Sequence, residues 1–210
     1  KIITSEQSLE TLLPLITRLV SDKFNFYHAG IFLLDDNRLY ALLQAANSDG
    51  GQRMLSRGHR LELGTGMVGT VALTGKPRIA LDVGVDAVFF NNPDLPATRS
   101  EMALPLQVRG ETIGVLDVQS THPGEFTKDD ANLLGILADQ IAIAIDNARL
   151  FTKNQQALDE VQALYNQYLQ KEWKALHART RNVGYWQTLS GGRPLEAPIE
   201  SDDIRQAVRT

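Results

Sequence analysis

The chain has 210 residues, of which 43% are hydrophobic and 22% charged, and its net charge is −4. This length fits one domain of ordinary size plus an extension, and the hydrophobic share is normal for a globular protein. The negative charge argues against nucleic acid as a partner, because domains that bind nucleic acid present a basic surface. The sequence has no cysteine, which excludes disulfides, thiolate nucleophiles and cysteine-based zinc sites. No apolar run approaches the ~20 residues of a membrane-spanning helix, so we expect no membrane segment in this part of the protein.

The first part of the chain is predicted to form a helix and then a hairpin. Leucine, isoleucine and valine recur at helical spacing in Ser5–Ser21, where Pro14 indicates a kink or a later start. Two short apolar runs follow, Ala29–Leu34 and Leu39–Ala45. The Asp-Asp-Asn sequence between these runs is typical of a turn.

The middle of the chain alternates short elements with breaks. We predict a loop at Ser48–Gly51, a brief strand at Arg60–Leu63, a helix at Met67–Leu73 that ends at Gly75, and a strand at Arg78–Asp82. Glycines and turn-forming residues separate these elements, so each of them is short.

An irregular segment precedes the second hairpin. Residues 83–96 show no clear period, and long irregular segments inside compact domains tend to be functional. Ser100–Val108 and Thr112–Gln119 then form a predicted hairpin around an Arg-Gly-Glu turn. Antiparallel strands with helices before and after them predict an α+β domain built on one central sheet.

A very long helix is predicted from Phe126 to about His177. Thr127 can cap this helix, and Asp130 stands where a carboxylate closes a capping box. About 50 residues at ~1.5 Å each give a length of roughly 75 Å, more than a domain of this size needs. From Lys153 onward a narrow apolar stripe lies on an otherwise polar helix, which is typical of a coiled coil.

The stripe on this helix follows spacings of four and three residues. Its positions are Leu137, Ile141, Ala144, Ala148, Phe151, Gln155, Leu158, Gln162, Tyr165, Leu169 and Leu176. The repeat predicts a parallel homodimer through the helix beyond Ala144, in which Gln155 and Gln162 set the register. The alternative is a solvated amphipathic helix that folds back on its own domain.

The tail of the chain differs from the helix before it. Tyr185–Leu189 and Pro194–Glu196 predict a hairpin around glycines, and Ser201–Val208 predicts a short capped helix. About 30 residues bury no core of their own, so we interpret residues 178–210 as the start of a following domain or as an element that docks on a partner chain. Because the sequence begins at Lys1 rather than Met, we expect a longer protein, with any signal or membrane segment outside this part.

Short motifs in three parts of the chain occur in a combination typical of one family. They are Gly64-Thr65-Gly66 with Gly69 and Thr74-Gly75-Lys76-Pro77, then Ser100–Leu106 with Gly114–Val118, and finally Phe126-Thr127, Leu137–Ala142 and Asn147-Ala148. In this combination, over about Ser5–Phe151, the chain resembles the GAF family.

The resemblance implies a fold and a function. The fold is an α+β domain whose six-stranded antiparallel sheet has helices on one face and a small-molecule pocket on the other, followed here by the long C-terminal coiled-coil helix. The expected parts are a GAF sensory domain at 1–151, a coiled-coil signalling helix at 152–177 and the tail at 178–210. The implied role is cytoplasmic, regulatory and non-catalytic. Such a domain senses a small molecule and acts through a dimeric helix on an output domain, such as the histidine kinase of a bacterial two-component system.

The candidate ligand site lies in the irregular segment and around it. Two phenylalanines in a loop of turn formers are expected to point inward, and nearby polar side chains converge on them. The predicted ligand-binding residues are Asp82, Phe89, Phe90, Asn91, Asn92, Arg99 and Glu101. An apolar pocket with a few polar groups is the usual site for a small ligand. The alternative is that the phenylalanines fill the pocket and the site is vestigial. The sequence names neither a ligand nor a cofactor.

Metal binding and catalysis find less support in the sequence. The histidines at 28, 59, 122 and 177 lack metal-ligand spacing, and a lone histidine is more often structural or exposed than a haem ligand. No serine or threonine stands with a positioned base, so we expect neither a metal nor a catalytic residue.

Known activities of the GAF family also narrow the function. Bilin-binding members and the methionine sulfoxide reductases of the family depend on cysteine, and the cyclic-nucleotide-binding members carry an Asn-Lys signature that is absent here. The glycines at 64, 66 and 69 offer a phosphate cradle at a helix start, but the resemblance assigns them to a tight strand-to-helix connection. Two rival interpretations remain: an enzyme, which requires an acid–base pair converging in the pocket, and a dimerisation scaffold with a filled pocket.

Overall fold

A computed structural model describes residues 8–84, 92–179, 184–188 and 191–195. The chain divides into two compact units, Lys1–Lys153 and Asn154–Thr210. The first unit contains the sheet and the candidate site. Within the described residues, no helix combines the length and the apolar character that crossing a membrane requires.

The first unit is built on one six-stranded antiparallel sheet. Its strands are β1 (His28–Leu34), β2 (Tyr40–Ala46), β3 (Arg60–Glu62), β4 (Arg78–Ala80), β5 (Ser100–Val108) and β6 (Glu111–Ser120). The strand order is β3-β2-β1-β6-β5-β4, so β1 and β6 are central. This architecture confirms the predicted α+β class and the six-stranded sheet.

Helices cover both faces of the sheet. The helices are α1 (Leu9–Phe24), α2 (Asp49–Ser56), α3 (Gly66–Thr74) and α4 (Lys128–Arg179). On one face, α1 and α4 pack a core that includes Ile31, Leu116 and Ile145. On the other face, α2 and α3 pack a second core around Met54 and Val71. The face expected to carry the pocket therefore also carries two short helices. The central strands have apolar residues on both faces, so each face of the sheet has to be covered.

The predicted loop at Ser48–Gly51 is wrong, because this stretch begins helix α2. Ser48 caps the helix by accepting a hydrogen bond from Gly51 N at 3.1 Å. The glycines serve close packing here rather than a turn. A Cβ on Gly50 would lie 2.0 Å from the Asp94 carbonyl oxygen, and one on Gly51 would lie 2.4 Å from the Ala46 Cβ. Local turn propensity is overridden by these non-local contacts.

The start of α4 follows the predicted capping box. Asp130 N donates to Thr127 Oγ1 at 3.2 Å, and Thr127 N donates to Asp130 Oδ2 at 2.8 Å. Two positions of the predicted stripe, Ile141 and Ala148, are buried in the core of the first unit. In this part of α4 the stripe therefore packs within its own chain.

The second unit contains the remainder of α4 and a hairpin. Strands β7 (Gly184–Thr188) and β8 (Gly191–Leu195) pair antiparallel, where the sequence predicts a hairpin around glycines. Along α4 beyond Lys153, large apolar side chains such as Leu158 and Tyr165 are exposed. The predicted helix at Ser201–Val208 lies outside the described residues.

Candidate ligand-binding site

A small cavity lies on the face of the sheet that carries α2 and α3. The space open to the centres of water molecules is ≈ 40 Å³, which is room for about three waters. The apolar part of its described wall comprises Phe32, Met54, Leu61, Met67, Val68 and Leu95. The polar part comprises His59, Asn92, Glu101, Asp117 and Gln119. Its wall thus combines apolar area with a few polar groups, as small-ligand sites usually do.

Strand register brings the polar side chains together. His28 on β1 and Glu101 on β5 both pair with Gln119 on β6, which lies between them. Asp117 is two residues before Gln119, so it points to the same face of the sheet. We call His28, Glu101, Asp117 and Gln119 the polar cluster. The central strands of the fold therefore fix its geometry.

The polar cluster is buried and hydrogen-bonded in part. His28 is 0% exposed, Asp117 2%, Glu101 5% and Gln119 6%. Gln119 Nε2 donates to Asp117 Oδ2 at 2.7 Å, and Thr98 Oγ1 donates to Gln119 Oε1 at 2.6 Å. The amide of Gln119 is thereby held in one orientation, with its NH₂ group toward the carboxyl of Asp117.

Burial shifts the pKa values of the cluster in opposite directions. Removal from water raises the pKa of Asp117 to about 7, although hydrogen bonding by Gln119 and Glu101 partly opposes this. Removal from water lowers the pKa of His28 to about 4. Desolvation penalises the charged form of either group. Burial therefore favours the neutral form of both His28 and Asp117.

Two atoms of the cluster lack partners. Within the part of the chain that the structure describes, His28 Nε2 and Asp117 Oδ1 make no hydrogen bond. His28 Nε2 lies 3.8 Å from Asp117 Oδ2, which is too far for a hydrogen bond. A buried polar atom without a partner costs about 1–3 kcal/mol. Asp117 also lines the cavity, whereas His28 is not part of its described wall.

A second set of contacts fixes the wall opposite the sheet. Arg53 on α2 and Arg57, which caps the C-terminal end of this helix, hold Asp94. Arg57 Nη2 and Arg53 Nε donate to the carboxylate of Asp94, and Arg53 Nη2 donates to the Asp94 carbonyl at 3.2 Å. The hydrogen bond from Arg57, with a further one from Arg53, lowers the pKa of Asp94. Asn92 Nδ2 lies 2.9 Å from Met54 Sδ. We call Arg53, Arg57 and Asp94 the α2 clamp, since they tie residues 92–95 to this helix.

The sequence-predicted site residues separate into three groups. Asn92 and Glu101 line the cavity. Asp82 and Arg99 instead pair with each other at 3.3 Å, are partly exposed and do not line it. The remaining three, Phe89, Phe90 and Asn91, lie outside the described residues. A ligand-binding role stays a prediction for all seven.

Sequence reasoning missed His28, Asp117 and Gln119. The available signal was that Asp117 and Gln119 stand two apart directly after the apolar run Ile113–Leu116. Both faces of such a strand are buried, so two polar residues on one face indicate a buried polar site. The described residues contain no group of three or more side chains suited to hold a metal.

The first unit is similar in sequence to known proteins. The sequence model of a family described as "GAF domain" matches residues 6–146. The chain is 27% identical over 135 residues to the probable 3′,5′-cyclic phosphodiesterase pde-5 of Caenorhabditis elegans, an alignment that covers 60% of this chain. It spans only 18% of that relative.

Solved structures share the fold. The GAF domain of an Acinetobacter phosphoenolpyruvate-protein phosphotransferase is 26% identical, with a TM-score of 0.59, over 70% of this chain and 87% of that one. A free methionine-R-sulfoxide reductase from Neisseria meningitidis, solved with its substrate, is 25% identical, with a TM-score of 0.61, over 70% and 83%. A GAF domain from Coxiella burnetii, at 22% identity and a TM-score of 0.61, covers 70% of this chain and 87% of that one and shows the fold alone.

Proposed function

Since the chain belongs to the GAF domain family, we propose that it is the sensory part of a bacterial signal-transduction protein. In this proposal a small molecule binds in the cavity. A dimeric α4 then carries the signal to an output domain, such as a histidine kinase. The proposal places the protein in the cytoplasm and assigns it no catalytic step.

The polar cluster at the cavity is the observation that carries this proposal. Glu101 and Asp117 present two buried carboxyl groups, and Asp117 Oδ1 has no partner among the described residues. Carboxylate oxygens accept hydrogen bonds, so the matching ligand donates them or carries positive charge, as an amine does. The apolar wall around Phe32 and Met67 suits the rest of a small organic molecule.

The size of the cavity supports a conformational response. Sites for drug-sized ligands have volumes of about 300–1,000 Å³, whereas this cavity measures ≈ 40 Å³. In this proposal, binding of a metabolite therefore involves movement of a wall of the cavity. The candidate wall is the segment 92–95, which the α2 clamp ties to α2. The two arginine side chains of this clamp are at least half exposed. Ligand binding then favours a different conformation of this wall, which is what a sensor requires.

The dimeric helix in this proposal rests on α4 beyond Lys153. Large apolar side chains are exposed there at helical spacing: Leu158, Val161, Leu164, Tyr165, Tyr168 and Trp173. A stripe of this kind gains stability when a second helix covers it. A parallel pair of identical helices also gives the two sensory units a shared output.

Native mass spectrometry tests the ligand-binding function. The full chain is isolated under mild conditions as the wild type, as Glu101→Gln and as Glu111→Gln, a matched change at an exposed position. We expect a non-covalent small-molecule adduct on the wild type and on Glu111→Gln, and a weakened adduct on Glu101→Gln. An adduct that is equally stable on all three proteins places the ligand elsewhere.

One observation favours an enzyme as the second candidate. His28, Glu101 and Asp117 bring acid and base groups together beside the cavity, which is the feature expected of an enzyme. None of the described residues that line the cavity is a serine, threonine or lysine. A proton-transfer reaction on a bound molecule is therefore the matching reaction class. Chemical conversion of a bound compound by the wild type, and not by Asp117→Asn, would favour this candidate.

A further inference from the structure

We propose that Ser48 and His28 form a relay that couples the state of Asp117 in the cavity to the first turn of helix α2. The relay rests on the proposed ligand-binding function and deepens it, because it specifies how a ligand that engages Asp117 changes the protein. It consists of the hydroxyl of Ser48 at the N-cap of α2, the imidazole of His28 on β1 and the carboxyl group of Asp117 on β6.

The hydrogen bonds of Ser48 set the orientation of the imidazole. Ser48 Oγ accepts from Gly51 N at 3.1 Å and lies 2.7 Å from His28 Nδ1. In the relay, the hydroxyl donates its single proton to His28 Nδ1, since the described residues offer it no other acceptor. The ring of a neutral histidine carries its proton on the other nitrogen when Nδ1 accepts. His28 Nε2 is therefore an N–H donor.

This donor faces the cavity carboxyl. His28 Nε2 is 3.8 Å from Asp117 Oδ2, and both side chains are sealed from solvent. An ionised Asp117 attracts the N–H group strongly in this low-dielectric site, whereas a protonated or ligand-engaged Asp117 does not. Glu101 on β5 and His59, which follows α2, line the same cavity. Glu101 also forms a hydrogen bond with Asp117.

Close packing transmits a movement of the ring to α2. A Cβ on Gly51 would lie 2.8 Å from His28 Cε1, so the backbone of the first helical turn is in contact with the edge of the imidazole. A ring that turns toward Asp117 also pulls on Ser48 and weakens the cap. The relay thus reaches α2 through a hydrogen bond and through direct contact.

The far end of α2 holds the cavity wall. The α2 clamp ties Asp94 to this helix, and its neighbours Asn92 and Leu95 line the cavity. In this relay the first turn of α2 responds to Asp117, while the C-terminal end of the helix positions the wall formed by residues 92–95. In this relay, helix α2 links the binding of a ligand at Asp117 to the position of the cavity wall at residues 92–95.

Nuclear magnetic resonance of the full chain tests the relay without a ligand, through the protonation of the His28 ring and the exchange of the Gly51 amide proton. In the unmodified protein at neutral pH, ¹⁵N shifts should show His28 with an unprotonated Nδ1 and a protonated Nε2. Asp117→Asn should change the amide exchange rate of Gly51 by at least about twofold, the lower end of couplings between contacting residues. The same substitution in a His28→Phe background should leave that rate nearly unchanged. Asp36→Asn, in an exposed turn, is the matched control.

Two results would overturn the relay. One is a His28 ring protonated on Nδ1, which needs no variant and so holds even if His28→Phe fails to fold. The other is an equal effect of Asp117→Asn on Gly51 in both backgrounds. No ligand is added, so these outcomes are independent of whether the cavity binds a small molecule.

Discussion

His28 Nε2 lies 3.8 Å from Asp117 Oδ2 in the interior of the first unit, and the two residues do not form a permanent ion pair. Burial lowers the pKa of His28 to about 4 and raises that of Asp117 to about 7. Between these values both groups are neutral in the folded protein. Burial therefore shifts the deprotonation of Asp117, which lines the cavity, to higher pH.

The two residues should give opposite pH dependences of stability. The pKa of Asp117 is raised from 3.8, so its stabilising contribution is full below that value and is lost as pH rises toward about 7. The pKa of His28 is lowered from 6.5, so its contribution is full above that value and is lost as pH falls toward about 4. From pH 4 to 6.5 the two slopes cancel in the wild type.

Single substitutions should reveal each slope. Relative to the wild type, Asp117→Asn should gain stability with rising pH across this window, and His28→Gln should lose it, each by up to about 1.4 kcal/mol per pH unit. Denaturant midpoints measured over a pH series check this. If both variants keep the pH dependence of the wild type, burial does not shift the pKa values of Asp117 and His28.

Gly51 should tolerate no side chain. An added Cβ would lie 2.4 Å from Ala46 Cβ and 2.8 Å from His28 Cε1, so Gly51→Ala should destabilise the fold by about 1–3 kcal/mol. Gly135→Ala is the matched control, because its Cβ meets open space on α4. That change should stabilise the helix by up to about 1 kcal/mol. Equal unfolding midpoints for the two variants would refute the close packing at Gly51.

Loss of the α2 clamp should loosen the cavity wall more than the fold. Asp94→Asn removes the charge that Arg53 and Arg57 share, and both arginine side chains are at least half exposed. Proteolytic cleavage at residues 92–98 should become faster by more than about threefold, with little change in the global unfolding midpoint. Asp82→Asn, at the exposed pair with Arg99, serves as the comparison. Cleavage that is equally fast in both variants would show that the clamp does not hold the wall.

Self-association should depend on α4 beyond Lys153. We expect a parallel homodimer at micromolar concentration, and Leu158→Asp should dissociate it because Leu158 lies in the exposed stripe. Gln167→Asp places the same charge outside the predicted stripe and should leave the dimer intact. Sedimentation velocity distinguishes the two. A wild type that sediments as a monomer would end the dimer proposal.

The sequence predicted those parts of the fold that depend on local patterns. The capping box of Thr127 and Asp130 and the two apolar hairpins are determined by neighbours in sequence. Helix α2 was missed because the reason for Gly50 is the carbonyl of Asp94, which is distant in sequence. Local propensity carries no information about such a contact.

The candidate site was predictable only in part for the same reason. Glu101 was identified beside the irregular segment, but its neighbours Asp117 and His28 depend on strand register across β1, β6 and β5. Asp82 and Arg99 were predicted to face a ligand, and in the structure they face each other. Neither residue lines the cavity, and local sequence does not reveal this.

A binding screen sorted by ligand charge tests the central claim most directly. Ligand-observed magnetic resonance is applied to the full wild-type chain with small amines, neutral amides and carboxylates at millimolar concentration, and then to Glu101→Gln and Glu111→Gln. If Glu101 and Asp117 make the cavity a site for hydrogen-bond donors, amines and amides should bind the wild type and Glu111→Gln, and carboxylates should bind neither. Glu101→Gln should bind amines at least about tenfold more weakly than the wild type does. Carboxylates that bind as well as amines, or amine binding that is unchanged in Glu101→Gln, would contradict the account.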